Sequence, residues 1–136
     1  MNAFRTLSGQ RIIVIVTATL IFSLYPGLAS ASVFRSINID ASGGQLTGTL
    51  MWTGLRSFEL QNMALADTTC DRQPVFFFVS YNGHDGPLHY NNNGCATTTS
   101  FATLEGADAA EIDAVTIKVC RGLPILQCDK LIYTSL

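Results

Sequence analysis

The sequence predicts an all-β protein, a two-sheet antiparallel sandwich of Greek-key or jelly-roll type stapled by two disulfides. Three observations carry this. Beyond residue 31 the apolar residues recur with period two and nowhere sustain the 3.6-residue period of a helix. Clusters of Gly, Pro, Asn and Asp cut the chain into short segments, as the turns of a sandwich require. Four cysteines follow a leader that sends them into an oxidising compartment, where pairing is expected. A small closed barrel is the alternative way to close the same strands.

The leader comes first in the chain. Ile12 to Leu24 is an apolar core preceded by Arg5 and Arg11, broken by Pro26-Gly27 and followed by Ala29-Ser30-Ala31. Such a core is too short to cross a bilayer and matches a secretory signal peptide with an A-x-A cleavage site. Residues 1–31 are therefore expected to be a signal peptide, and residues 32–136 a single secreted domain with no membrane contact after cleavage. No Cys follows the apolar core for lipidation, and no Arg-Arg pair marks a twin-arginine route. Six basic side chains face ten acidic ones after residue 31, a formal charge of −4. Nucleic acid is a poor partner for such a surface, because phosphate binding needs clustered Lys and Arg.

Val33, Ile37 and Ile39 alternate with polar residues, Ala41-Ser42-Gly43-Gly44 turns the chain, and Leu46, Leu50 and Trp52 resume the alternation: a hairpin. Phe58 and Leu60 share one parity and Met63 and Leu65 the other, so a bulge near Gln61-Asn62 is needed to point all four inward. Val75 to Tyr81 is apolar on both parities, which suggests a strand buried on both faces or at the centre of a sandwich. Asn82-Gly83 and Asp85-Gly86-Pro87 force a turn before a short strand Leu88 to Tyr90, and Asn91 to Gly94 forms another turn. Thr97 to Leu104, Val115 to Val119 and Leu131 to Thr134 complete seven or eight strands. The acidic stretch Glu105 to Asp113 reads as a solvated loop or a cation-attracting patch, with at most one helical turn around Ala107 to Glu111.

Four cysteines allow three pairings. The apolar residues of the strand ending at Val119 are odd-numbered, so Cys120 faces the other side, within reach of Cys128 across a short connection. Geometry thus favours Cys120 with Cys128 and leaves Cys70 with Cys95. Chain-entropy arguments give about 3.5 kcal/mol for the larger loop and about 2.6 for the smaller. Zinc fits poorly, since its ligand pairs lie two to four residues apart and these cysteines do not.

Chemistry-bearing residues are few. His84 and His89 with Asp85 would serve as a general base or metal ligands, or as solvated turn residues. Asp67 and Asp71 with the Thr68 and Thr69 carbonyls would suit calcium, or make a polar turn. Trp52, Tyr81, Tyr90 and Tyr133 would stack on sugar rings or fill the core. The G-x-S-x-G elbow is absent, and once the cysteines pair none remains as a nucleophile. No metal and no cofactor is expected.

The segment Cys120-Arg121-Gly122-Leu123-Pro124-Ile125-Leu126-Gln127-Cys128, with its internal Pro and its Gln before the closing Cys, resembles the reactive loop of Bowman-Birk protease inhibitors. Gly122 stands at that loop's specificity position, Pro124 is one place early, and the Thr and Ser that flank its scissile bond are missing. The resemblance implies a constrained loop presenting Arg121, Leu123, Pro124, Ile125 and Leu126 to a partner; the same residues would alternatively pack inward as a stapled turn. Cys70-Asp71-Arg72, His89-Tyr90-Asn91, Asn93-Gly94-Cys95, Val119-Cys120 and Cys128 together resemble small secreted actinobacterial proteins of uncharacterised function. That resemblance implies a β-rich disulfide domain and no activity. The leading expectation is a secreted, non-catalytic binding domain for an extracellular protein or glycan. An inhibitor of a secreted hydrolase acting through the Cys120-Cys128 loop is the second, and a small secreted hydrolase the third.

Overall fold

The computed structural model describes residues 32–122 and 126–135. The expected leader, residues 1–31, and the loop residues Leu123, Pro124 and Ile125 lie outside the described residues. No helix among the described residues is long and apolar enough to cross a membrane. All regular structure among them is β, in two antiparallel sheets.

The first sheet begins with the expected hairpin. β1 (Val33–Ala41) pairs in full with β2 (Gly44–Gly54) across the two-residue turn Ser42-Gly43, where Gly43 takes φ 88°. β3 (Ser57–Asp67) pairs with β2, and its register slips by one between Thr49↔Gln61 and Thr47↔Ala64. Asn62 absorbs the extra residue at φ 54°, a conformation Asn tolerates better than most side chains. The bulge read from parity is therefore present, and Phe58, Leu60, Met63 and Leu65 are all buried.

The same step in phase crosses to the neighbouring strands. The single strand expected over Thr97 to Leu104 is instead two, β7 (Thr98–Ser100) and β8 (Leu104–Ala107), both paired with β3. Ala64↔Ser100 and Leu60↔Leu104 leave three residues on each strand between them, so Phe101 and Leu104 both pack on the core despite opposite parity. Glu105 and Gly106 belong to β8, so the acidic loop starts later than expected, and no helical turn forms at Ala107 to Glu111.

In the second sheet β4 (Val75–Tyr81) is central. On one side lies β9 (Ala114–Arg121), followed at the edge by β10 (Gln127–Thr134); on the other lie the short β5 (His84–Asp85) and β6 (His89–Asn91). β1 lies over β10 and β9, β2 over β9, and β3 over β4 and β6. Between the sheets, residues such as Leu46, Leu50, Leu65, Phe77, Ile117 and Val119 are fully buried. At roughly 25 cal/mol per Å² of apolar surface this core is the main source of stability.

Both disulfides follow the favoured pairing. Cys70–Cys95 ties the β3–β4 loop to the β6–β7 loop, and Cys120–Cys128 joins directly opposite residues of β9 and β10. Asn91, expected in a turn, is instead a buried strand residue. Its amide nitrogen donates to the Leu65 and Thr97 carbonyls at 3.0 and 2.8 Å, and its side-chain oxygen accepts from Thr97, Thr99 and the Asn93 N–H.

Candidate binding face

β4 explains why its sequence is apolar on both parities. Val75, Phe77 and Val79 face the core, while Phe76 and Phe78 face outward, where no third layer covers them. Phe76 is screened by its own neighbours: Tyr90 lies against it with ring centroids 5.1 Å apart, and Cys120 stands directly opposite in β9. Tyr90 keeps 37% of its surface exposed, and Leu88, of the same parity, 48%.

Registers arrange this face into rows. One row runs Cys128, Cys120, Phe76, Tyr90. The next runs Lys130, Lys118, Phe78, and continuing the β4–β6 register brings in Leu88. A third runs Ile132, Thr116, Ser80, Asp85, with Ile132 57% exposed and the Ser80 hydroxyl donating to the Asp85 carboxylate. Lys118 and Lys130 are the only lysines of the chain. They sit directly opposite each other, a cross-strand placement that costs about 0.2–1 kcal/mol for like charges. Lys118 Nζ lies 4.9 Å from the Phe78 ring centroid, a partial compensation. Among the described residues neither lysine forms an ion pair, and the one such contact is Arg121 with Asp71.

That contact fixes the fate of a predicted loop residue. Arg121 is held by Asp71 and reaches toward the Ser42 hydroxyl, so its guanidinium anchors the β3–β4 loop and the β1–β2 turn instead of extending to a partner. Leu126 is exposed at 54%, as a presenting loop requires. Leu123, Pro124 and Ile125 lie outside the described residues.

The other candidates are dispersed. Asp71 also caps the Gln73 N–H, and buried Asp67 accepts from the Thr69 N–H; no group of three or more potential metal ligands occurs among the described residues. Trp52 is in the core, edge-on to Phe58, and the Tyr81 and Tyr133 hydroxyls donate to the Ala107 and Ser36 carbonyls. Burial raises the pKa of Tyr133. Of the four aromatics proposed as a sugar platform, Tyr90 is the one exposed on a sheet face.

Concavities add to the inventory, among them one of about 440 Å³ over Ser80, Asp85, Asp113 and Thr116 with Lys118 at its border, and two others. Of these two, the first, about 470 Å³, lies beside the Cys70–Cys95 bridge and is lined by Asp67, Arg72, Gln73, Asn91 and Asn92 among others. The second, about 360 Å³, opens between the sheets over Phe58, Leu60, Val79, Tyr81 and His89, with Glu105 at its border. His89 stacks on Phe77 at 4.9 Å, and burial lowers its pKa, which favours the neutral imidazole. His84 lies apart in exposed β5, near Asp108, whose pKa is lowered chiefly by the Ala110 N–H bond. Neither imidazole hydrogen-bonds a carboxylate among the described residues.

Sequence reasoning missed the lysine pair, although the signal was within reach. Placing Cys120 opposite Cys128 and stepping two residues along each strand puts Lys118 opposite Lys130. No family model, no curated protein and no solved structure matches the chain.

Proposed function

We propose that the protein is a secreted, non-catalytic binding domain, and that the outer face of the second sheet is its docking surface. Export is supported by the leader, with its short apolar core and A-x-A site, and by two disulfides that need an oxidising compartment. The observation that carries the docking reading is the Lys118–Lys130 pair. Two like charges are held opposite each other with no carboxylate paired to either among the described residues, beside the apolar residues Phe76, Phe78, Leu88 and Tyr90. A partner with an apolar patch edged by negative charge would relieve the repulsion and cover exposed Leu88 and Tyr90 beside half-buried Phe78.

The test is binding to polyglutamate, to polygalacturonate and to neutral dextran, measured by calorimetry at low and high salt. Salt-sensitive binding to an acidic polymer, lost in K118E/K130E and kept in an R56E control at the far end, is the expected outcome. Equal binding by wild type and K118E/K130E overturns the reading. A second reading, inhibition of a secreted hydrolase, is favoured by the cross-strand closure of the Cys120–Cys128 loop and by exposed Leu126. Titration of a panel of serine proteases with wild type and L126D checks it, with inhibition by wild type alone expected.

A further inference from the structure

The outer face of the first sheet bears a row that matches the lysine row. Phe34, Met51, Glu59 and Glu105 are successive cross-strand neighbours in β1, β2, β3 and β8. Two of the chain's three glutamates thus stand directly opposite each other, as both lysines do on the other side of the molecule. Among the described residues neither glutamate forms an ion pair; Glu59 accepts one neutral bond from the Gln61 amide at 2.8 Å. Each row therefore reads apolar, apolar, charge, charge: Phe34, Met51, Glu59, Glu105 on one face, and Leu88, Phe78, Lys118, Lys130 on the other. Phe34 is 56% exposed and Leu88 48%. A like-charge pair in a sheet is unfavourable in the isolated molecule, and here two such pairs of opposite sign lie on opposite faces of one domain.

We infer that the partner for the lysine face is a second copy of this chain, docked through its glutamate face. This rests on the reading of the lysine face as a docking surface and names its occupant. The layering fixes the geometry. β1 lies over β10 and β3 over β4 and β6, so the two rows run in opposite directions through one molecule. Simple stacking would set Phe34 on Lys130. A half turn about the stacking axis sets Glu105 on Lys130, Glu59 on Lys118, Met51 on Phe78 and Phe34 on Leu88. The contact joins two different faces, so it does not close on itself, and repetition gives a linear two-fold screw filament. On the lysine face β10, β9 and β4, about 4.8 Å apart and of seven or eight residues rising about 3.3 Å each, together with the three-residue β6 present roughly 400 Å² per partner. This falls below a standard stable interface, so assembly is weak and depends on concentration.

The experiment uses protein produced from the full chain, with its N terminus read by mass spectrometry, and follows mass by sedimentation and light scattering up to about 1 mM, against the interface sizes that set weak association. Wild type should grow in mass with concentration at low salt and lose this in about 0.5 M salt. K118E/K130E and E59K/E105K should each weaken association about tenfold or more. Mixing the two variants should restore it, and the quadruple reversal should associate again by itself. A wild type that stays monomeric throughout, or a quadruple variant no better than either double, overturns the inference. If that monomer still binds polyglutamate or polygalacturonate through Lys118 and Lys130, the docking reading stands while the second copy is excluded as its occupant.

Discussion

The two ends of the sandwich are built on different principles. At one end meet the Ser42-Gly43 turn and the loops after β3, β6 and β9, and there lie both disulfides, the Arg121–Asp71 ion pair, the Asn91 hydrogen bonds and the larger concavity. At the other end the chain turns at Leu55-Arg56 and Asn82-Gly83, and ties to its neighbours through backbone carbonyls. There the Asp108 and Ile112 N–H groups donate to Arg56 and Leu55, and the Asn82 amide to Glu111, while Ile112 plugs the core. Long polar loops bury little apolar surface, so the first end is closed by covalent as well as polar ties; the short turns of the second are held by hydrogen bonds and by Ile112 alone.

The largest effect expected from breaking this asymmetry is at Asn91. Asn91→Leu keeps the volume but removes the bonds to the Leu65 and Thr97 carbonyls and takes the acceptor from the Thr99 hydroxyl and the Asn93 N–H, and should cost about 4 kcal/mol in a urea unfolding titration. Next are the bridges. C70S/C95S should cost about 3.5 kcal/mol and C120S/C128S about 2.6, the order following loop length, and calorimetry of both variants checks it. At the turn end, Gly83→Ala has open space for its Cβ but must hold φ 77°, so a loss of about 1 kcal/mol in thermal melts is expected from strain alone.

The smallest effect separates the ends from the side opening between them. Burial lowers the His89 pKa below its ordinary 6.5, so below that pH the unfolded chain binds the proton more readily than the folded one. Stability should be full above pH 6.5 and fall as pH drops through the lower folded value. Melting temperatures at pH 7 and 5 test this: wild type should lose more than H89F, in which the ring stays against Phe77 and the titration is gone.

The sequence carried local pairing well and distant pairing poorly. The β1–β2 hairpin, the bulge at Asn62 and the Cys120–Cys128 closure rest on neighbours within one turn or one strand, and period two suffices to read them. The break between β7 and β8 depends on β3, some forty residues earlier, so Thr97 to Leu104 looked continuous. The same distance hid Glu59 opposite Glu105. Phe76 and Phe78 were legible as strand residues, but an uncovered apolar face has the same alphabet as a covered one. Arg121 could not be known to turn inward, because its acceptor Asp71 lies in another loop.

Asn62 and the break at residues 101–103 together form a fault line that runs across the first sheet through three strands. Deleting Asn62 alone would turn half of β3 inside out relative to β7 and β8. Deleting one residue of the facing break as well would bring both halves back into step and leave an unfaulted ladder. Insertions and deletions at these two places should therefore be tolerated only in pairs, a linkage between positions far apart in the chain that no charge or side-chain contact would reveal.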